Sequence, residues 1–494
     1  MVVMAATMMQ VLDSTIANVA LPHMQASLGA TPDTISWVLT SYIIAAAVAT
    51  PMTGWLESRV GRRALILISV TGFTLASMLC GISASLGMMV GARLLQGLAG
   101  AFIGPLSQAI MLDIYPVEQR ARALTIWGMG IMVGPILGPI VGGILTESHN
   151  WRWVFFINAP FGIAAFVGLL ILLPKVKIKA APFDMMGFAM IAIALCSLQL
   201  VLDRGTQLDW FESPEIMIEA GLCIAMLWMF AVHTASARAP LLPIELFRDR
   251  NFVIANLFLL VIIGIMMSSA ALLPPMMQSL LGYNTVDAGL LIVPRGVAIM
   301  ATMMISGRLM GKVDARIIIL TGMVLVNVAQ WLMTGFSLGM DRQPMIVTGL
   351  IQGFGFGLVM VPLNMIAFST LSPTVRTSAA ALYNLSRNIG GAVAISMFTA
   401  VLAHNLQVSH SDLAAHFSAI RFPFVEGGLL ESMGMESGTA LKMVDVEINR
   451  QAMMIAYLDD FWLMAVMTLS TLPLILFLNP MKEGDDSEMP VVME

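Results

Sequence analysis

GIMVGPILGPIVGG, Gly130–Gly143, lies inside a long apolar run and places glycine at 130, 134, 138 and 142, with Gly143 closing the stretch. Residues four apart share one side of a helix, so these glycines form a groove bare of side chains, along which a second helix can approach closely. Pro135 and Pro139 remove two backbone donors and bend the helix. A bent, polar-free surface of this kind can seal one side of a helical bundle without giving water a path.

The remainder of the chain has the same character. Of 494 residues, 58% are hydrophobic and 11% charged, against about 25% charged in soluble proteins. Apolar runs long enough to cross a bilayer as helices recur at 2–26, 34–57, 64–83, 86–112, 122–147, 153–174, 184–203, 215–235, 251–279, 287–311, 317–337, 344–370, 379–404 and 456–478. The predicted fold class is therefore an all-α polytopic membrane protein of 14 spans. The first run has no basic leader and no cleavage site before the second, and is read as a span rather than a signal. Cys80, Cys196 and Cys223 all fall in apolar runs as small hydrophobic residues, so neither a disulfide nor a metal is expected. The 43 methionines have two open readings: a lipid-facing bias, or an adaptable lining for varied ligands.

Basic residues set the expected orientation. With the N-terminus inside, 15 of the 25 Lys and Arg residues fall in inner loops and tail, 6 in outer loops and 4 within spans, which puts both termini in the cytoplasm. The chain also repeats itself. GWLESRVGRRALIL at Gly54 matches GRLMGKVDARIIIL at Gly307, and LLQGLAGAFIGPLS at Leu94 matches LIQGFGFGLVMVPLN at Leu350. Two homologous six-helix bundles follow, residues 1–174 and 251–478, with two additional helices in 175–250 and an acidic tail at 479–494. The segment 405–455 within the second bundle reads as a long outer loop, either a surface loop or a docking element.

Charges inside spans mark candidate sites, because each is costly there. Asp13, in VLDSTIANVALP, falls near mid-membrane at about 1.5 Å per residue. A carboxyl balanced between desolvation and a nearby arginine can bind and release a proton; it can equally be a permanent ion pair holding helices together. Arg93, in RLLQG, is the expected counterpart, with snorkelling to the interface as the other reading. Gln10, Asn18 and Gln96 are candidate cavity residues of the first half, and Arg295, Asn364, Asn384 and Arg387 of the second. Arg295 and Arg387 either make that side of a cavity positive toward an anionic head or pair with backbone carbonyls. A gate loop is expected from Gly54, Glu57, Arg59, Gly61, Arg62 and Arg63, echoed by Gly307 and Arg316; simple topology is the plainer reading of its arginines. No phosphate loop, HExxH or Cys/His metal spacing occurs, so ATP hydrolysis, metal and cofactor chemistry are not expected.

Taken in order, LDSTIANVALP, GWLESRVGRR, RLLQG, GIMVGPILGPIVGG and WRWVFFINAPFG resemble the major facilitator superfamily, in particular its fourteen-helix drug:proton antiporters of the EmrB/QacA type. LDRGTQLDWF, between the seventh and eighth spans, is similar to the EmrB-type members. The resemblance implies two six-helix bundles plus two extra central helices, and proton-driven export of amphipathic toxic compounds across a bacterial inner membrane by alternating access. It also implies a periplasmic adaptor and an outer-membrane channel as partners, and no nucleic acid. It leaves open a dedicated exporter of a fatty acid, siderophore or other metabolite; a membrane sensor or scaffold is the reading from another class. The family's gate loop often has an acid just before its first arginine; here that place holds Ser58, with Glu57 one position earlier.

Overall fold

The computed structural model describes residues 2–174, 182–416 and 437–478. The acidic tail and the linker 175–181 lie outside the described residues, as do the side chains of Pro135 and Pro139. The long helices are α1 Val2–Leu28, α2 Trp37–Val60, α3 Arg62–Gly81, α4 Leu86–Ile114, α5 Val117–Ser148, α6 Trp153–Leu172, α7 Met185–Arg204, α8 Pro214–Ser236, α9 Arg250–Ser279, α10 Thr285–Leu309, α11 Ala315–Met333, α12 Arg342–Ser369, α13 Arg376–His416 and α14 Ser437–Thr471. Among the described residues 13 helices are long and apolar enough to cross a bilayer. The remaining long helix is α5, whose 32 residues also suffice in length to cross. No strand occurs among the described residues; only Met310 and Val313 form an isolated bridge.

Helix ends follow local chemistry. Gly61, at φ 87°, ends α2 and starts α3 in a backbone conformation that a side chain would strain. Asp184 and Asp249 cap α7 and α9, each accepting a backbone N–H from the first turn.

Helix pairing shows the internal repeat in space. In the first half α1 packs on α5 and α6, α2 on α4, and α3 on α4; in the second half α9 packs on α13 and α14, α10 on α12, and α11 on α12. Each pair recurs eight helices later. Contacts between the halves obey the same pseudo-two-fold, α2 on α13 matching α10 on α5, and α4 on α13 matching α12 on α5. The additional helices α7 and α8 pack on each other, and α7 touches α2 of one half and α13 of the other.

One segment departs from the sequence reading. Helix α13 has 41 residues and α14 has 35, about 60 and 50 Å at the usual rise, against a hydrocarbon core of about 30 Å. Both therefore run on into 405–455, where a loop is expected from sequence, and residues 417–436 lie outside the described residues. Loss of apolarity there marks the end of lipid contact rather than the end of the helix. The paired stem is held by Asn405 donating to Asp459 at 3.4 Å and by His410 with Asp445 at 3.2 Å.

Candidate functional site

Asp13 is fully buried inside the first bundle, where three side chains donate to its carboxylate. Arg93 Nη1 reaches Oδ2 at 2.8 Å, while Gln96 Nε2 and Asn158 Nδ2 reach Oδ1 at 2.9 and 2.6 Å. Arg93, equally buried, donates also to the Val38 carbonyl at 3.0 Å and to Gln96 Oε1 at 2.8 Å, and its guanidinium lies 4.3 Å from the Tyr42 ring centroid. Asn158 extends the network to Ser77 at 2.9 Å. Helices α1, α2, α3, α4 and α6 thus meet on one ion pair, and the carboxylate has the charge-assisted bonds that make such burial tolerable. Sequence reasoning points to Asp13, Arg93 and Gln96 but passes over Asn158, although an asparagine in the apolar WRWVFFINAPFG carries the same kind of signal as Asp13.

The glycine groove of α5 lies against α1 on both sides of this network. A Cβ at Gly130 would meet Met4, at Gly134 Val11 and Leu12, at Gly138 Thr15, and at Gly142 Ile16 and Val19, whereas Gly143 has nothing within 4 Å. Thr15 Oγ1 donates to the Gly134 carbonyl at 3.2 Å, a bond that the close approach permits. Further along, α5 meets the other half. Gly307 of α10 is closed down on Thr125, and Gly54 of α2 is closed down on Ser378 of α13. Repeated glycines of the two loops therefore occupy matching sites at the pseudo-two-fold.

A narrow cavity of about 60 Å³ lies between the halves. Gln108, Trp127 and Met132 line it from the first half, and Met303, Asn364 and Arg387 from the second. Gln108 bridges the halves, donating to Asn364 at 2.7 Å and accepting from Asn384 at 2.7 Å. The Trp127 indole N–H is buried with no acceptor among the described residues. Arg387 makes no ion pair among the described residues, and its electrostatic neighbour is Tyr383, one turn back. A wider dish of about 610 Å³ beside Tyr283, Asp341 and Arg342 lies at the surface, away from these groups.

The other named positions fall elsewhere. Arg295 is buried, donates to the Met266 carbonyl at 3.0 Å and stands 5.4 Å from the Phe356 ring centroid, apart from the cavity lining. Asn18 is exposed on α1, and Gln10 sits beside Gly100 and bonds to Tyr42.

The loop expected to act as a gate is organised by acids. Glu57 holds Arg62 Nε at 2.5 Å, and Arg62 Nη1 reaches Asp113 at 2.7 Å. Asp113, at the end of α4, also takes Arg376 of α13 at 3.0 Å, and Arg62 reaches Thr377 at 3.4 Å. The second half is thereby tied to the first at this end. Sequence reasoning marks neither Asp113 nor Arg376, since each looks like an ordinary charge beside a helix end. Arg63 donates to the Leu170 carbonyl, Arg59 is exposed, and Arg316 lies half-buried at the start of α11.

Long helices in pseudo-two-fold halves, a buried ion pair and an inter-bundle cavity form a transporter-like arrangement, and sequence comparison decides its kinship. The Major Facilitator Superfamily model matches residues 3–395. The chain belongs to that superfamily. This facilitator is 34% identical over 480 residues to the multidrug export protein EmrB of Escherichia coli strain K12, covering 96% of this chain and 94% of that one. It is 31% identical over 481 residues to the fatty acid resistance protein FarB of Neisseria gonorrhoeae, with the same coverage of 96% and 94%. The crystal structure of the human organic anion transporter MFSD10 (TETRAN) matches with a TM-score of 0.63 at 16% identity, over 96% of this chain and 98% of that one, a likeness of fold. Family and relatives together point to a transporter of the superfamily rather than an enzyme.

Proposed function

We propose that the protein is a proton-driven antiporter that expels amphipathic compounds with an anionic head across a bacterial inner membrane by alternating access. The observation that carries this reading is the separation of charge: Asp13 and its three donors are enclosed in the first bundle, whereas Arg387 stands without an ion pair among the described residues in the cavity between bundles. The first site suits a proton and the second suits a substrate carboxylate beneath an apolar tail, with Met132, Met303 and Met360 as adaptable lining.

In the proposed cycle the conformation described is the one closed at the cytoplasmic end, locked by Arg376 on Asp113 and by the Gly54 and Gly307 contacts. Protonation of Asp13 removes the charge that Arg93, Gln96 and Asn158 surround, and α1 re-seats on the α5 groove. Helix α5 carries that shift to α10. Orientation with both termini inside follows the excess of basic residues in the loops. The α13–α14 stem is the docking element for the adaptor that EmrB-type kinship implies. Similarity to FarB favours one narrower reading, a dedicated exporter of fatty acids.

The test uses proteoliposomes. Asp13→Asn is expected to abolish export driven by a pH gradient while substrate binding persists, and full pumping by that variant overturns the mechanism. A panel of cationic and anionic amphiphiles separates broad export from fatty acid export.

A further inference from the structure

Helix α14 contains a second acid that the cycle above does not use. Asp460 is fully buried, and neither of its carboxylate oxygens has a hydrogen-bond partner among the described residues. Asp13, at similar burial, has three donors. An ionised carboxylate deprived of water and donors is strongly disfavoured, and a bound proton removes that cost. On α14 Asp460 is flanked on the buried face by Tyr457, Phe461 and Met464, with the Phe461 ring 6.0 Å from that of Phe336.

No compensating cation appears around it among the described residues. Helices α9, α11 and α13 pack on α14. Along α9 no charged residue follows Arg250, and along α11 none follows Arg316. Helix α13 brings His404, on the turn whose Asn405 donates to Asp459 at 3.4 Å. On α14 itself the titratable neighbours are Tyr457 and the exposed Asp459, which adds a like charge.

The internal repeat gives the acid a meaningful place. Gln96, which binds Asp13, corresponds to Gln352, which donates to Ser269 at 3.3 Å; Ser269 in turn contacts Met464 Sδ at 3.6 Å. Met464 is one helical turn from Asp460. The first bundle thus holds its acid on its first helix, opposite Gln96. The second bundle has serine at that level and holds an acid on its last helix, one turn away.

We propose that Asp460 is a second proton-binding carboxyl, protonated in this conformation and exchanging its proton when the second bundle moves. The exposed Asp459 beside it supplies a surface carboxylate through which the proton passes. The role in transport rests on the proton-driven reading above; the protonation itself does not.

The experiment takes the full chain in proteoliposomes as wild type, Asp460→Asn and Asp13→Asn, with Asp460→Glu as the variant that keeps a carboxyl should the amide fail to fold. Infrared difference spectra at neutral pH are expected to show a protonated carboxylic C=O band in wild type and Asp13→Asn that disappears in Asp460→Asn or shifts in Asp460→Glu. A spectrum unaltered by substitution at 460 overturns the proposal. With dansyl undecanoic acid as probe, the gradient sustained by a pH difference of about one unit is expected to fall about tenfold in Asp460→Asn, the factor that one coupled proton contributes. An undiminished gradient overturns the exchange step. Wild-type export indifferent to pH refutes proton drive instead, and the infrared band still decides the protonation of Asp460.

Discussion

Replacing Arg376 by glutamine tests the lock between the halves. Arg376 meets Asp113 at 3.0 Å with the two side chains 13% and 26% exposed, while Arg62 stays on the same carboxylate at 2.7 Å. Asp113 is therefore not left as an unpaired buried charge, which would cost several kcal/mol. The loss belongs at the upper end of the range for exposed pairs, about 1 kcal/mol, and shifts the ratio of closed to open forms roughly fivefold. Spin labels at the exposed positions Arg59 and Lys312, one in the gate loop of each half, report that ratio as a distance distribution between the loops. The longer distance is expected to gain population in Arg376→Gln and, in wild type, to gain part of it in high salt. The Asp113→Asn, Arg376→Gln double variant is expected to fall short of the sum of the single effects. An unchanged distribution, or strict additivity, refutes the lock.

Three further outcomes follow from the packing and the charges. Gly138→Val is expected to lower the thermal stability of the purified protein by about 1–3 kcal/mol, since its side chain enters the space of Thr15, whereas Gly143→Ala, with open space around it, is expected to be neutral or mildly stabilising. Arg387→Gln is expected to weaken binding of anionic amphiphiles about tenfold relative to cationic ones, a charge-assisted bond being worth about 1.5–3 kcal/mol, and calorimetry with one probe of each sign measures it. Burial alone would push the Asp184 carboxyl up, but donors from Gly187, His233 and Leu241 outweigh it and hold it below the usual range. A depressed acid contributes stability above its unfolded value of about 3.9 that is lost as pH falls through the folded value, so hydrogen exchange at the α7–α8 clasp is expected to rise only below about pH 4. Asp184→Asn is expected to remove that step.

What is legible in the sequence depends on rarity and on period. A charge in an apolar run stands out, so Asp13 and Arg93 can be paired from the residues alone, and four-residue glycine spacing on α5 can belong only to a helix face. Asn158 obeys the same rule, but its motif reads first as a family marker and only then as chemistry. Asp113 and Arg376 are not legible, because charges at helix ends are commonplace and only tertiary packing makes these two meet. The α13–α14 stem escapes for a different reason: polarity tracks the solvent, not the backbone, so helices that leave the membrane look like loops. Arg295 and Arg387 look alike in sequence, yet one bonds a carbonyl and the other faces the cavity.

The position of Asp13 within α1 gives the proposed cycle a route by which an enclosed carboxylate can govern a cavity it does not line. Val11 and Leu12 press on Gly134, and Thr15 and Ile16 on Gly138, so the acid is bracketed by two tight seats of α1 on α5. On its other side α5 meets α10, with Gly307 on Thr125 and Met303 against Gly128. Both Met303 and Trp127 belong to the cavity wall. In the proposed cycle, a change of charge at Asp13 alters how α1 seats on the groove, and α5 transmits it as a body because packed helices shift between discrete arrangements rather than deform continuously. Polar side chains along that route would offer water a bridge between the two sites and let protons leak. The glycine groove limits this by keeping polar side chains off the α5 face, and the two hydroxyls on the route, Thr15 and Thr125, are occupied by the backbone carbonyls of Gly134 and Ala121.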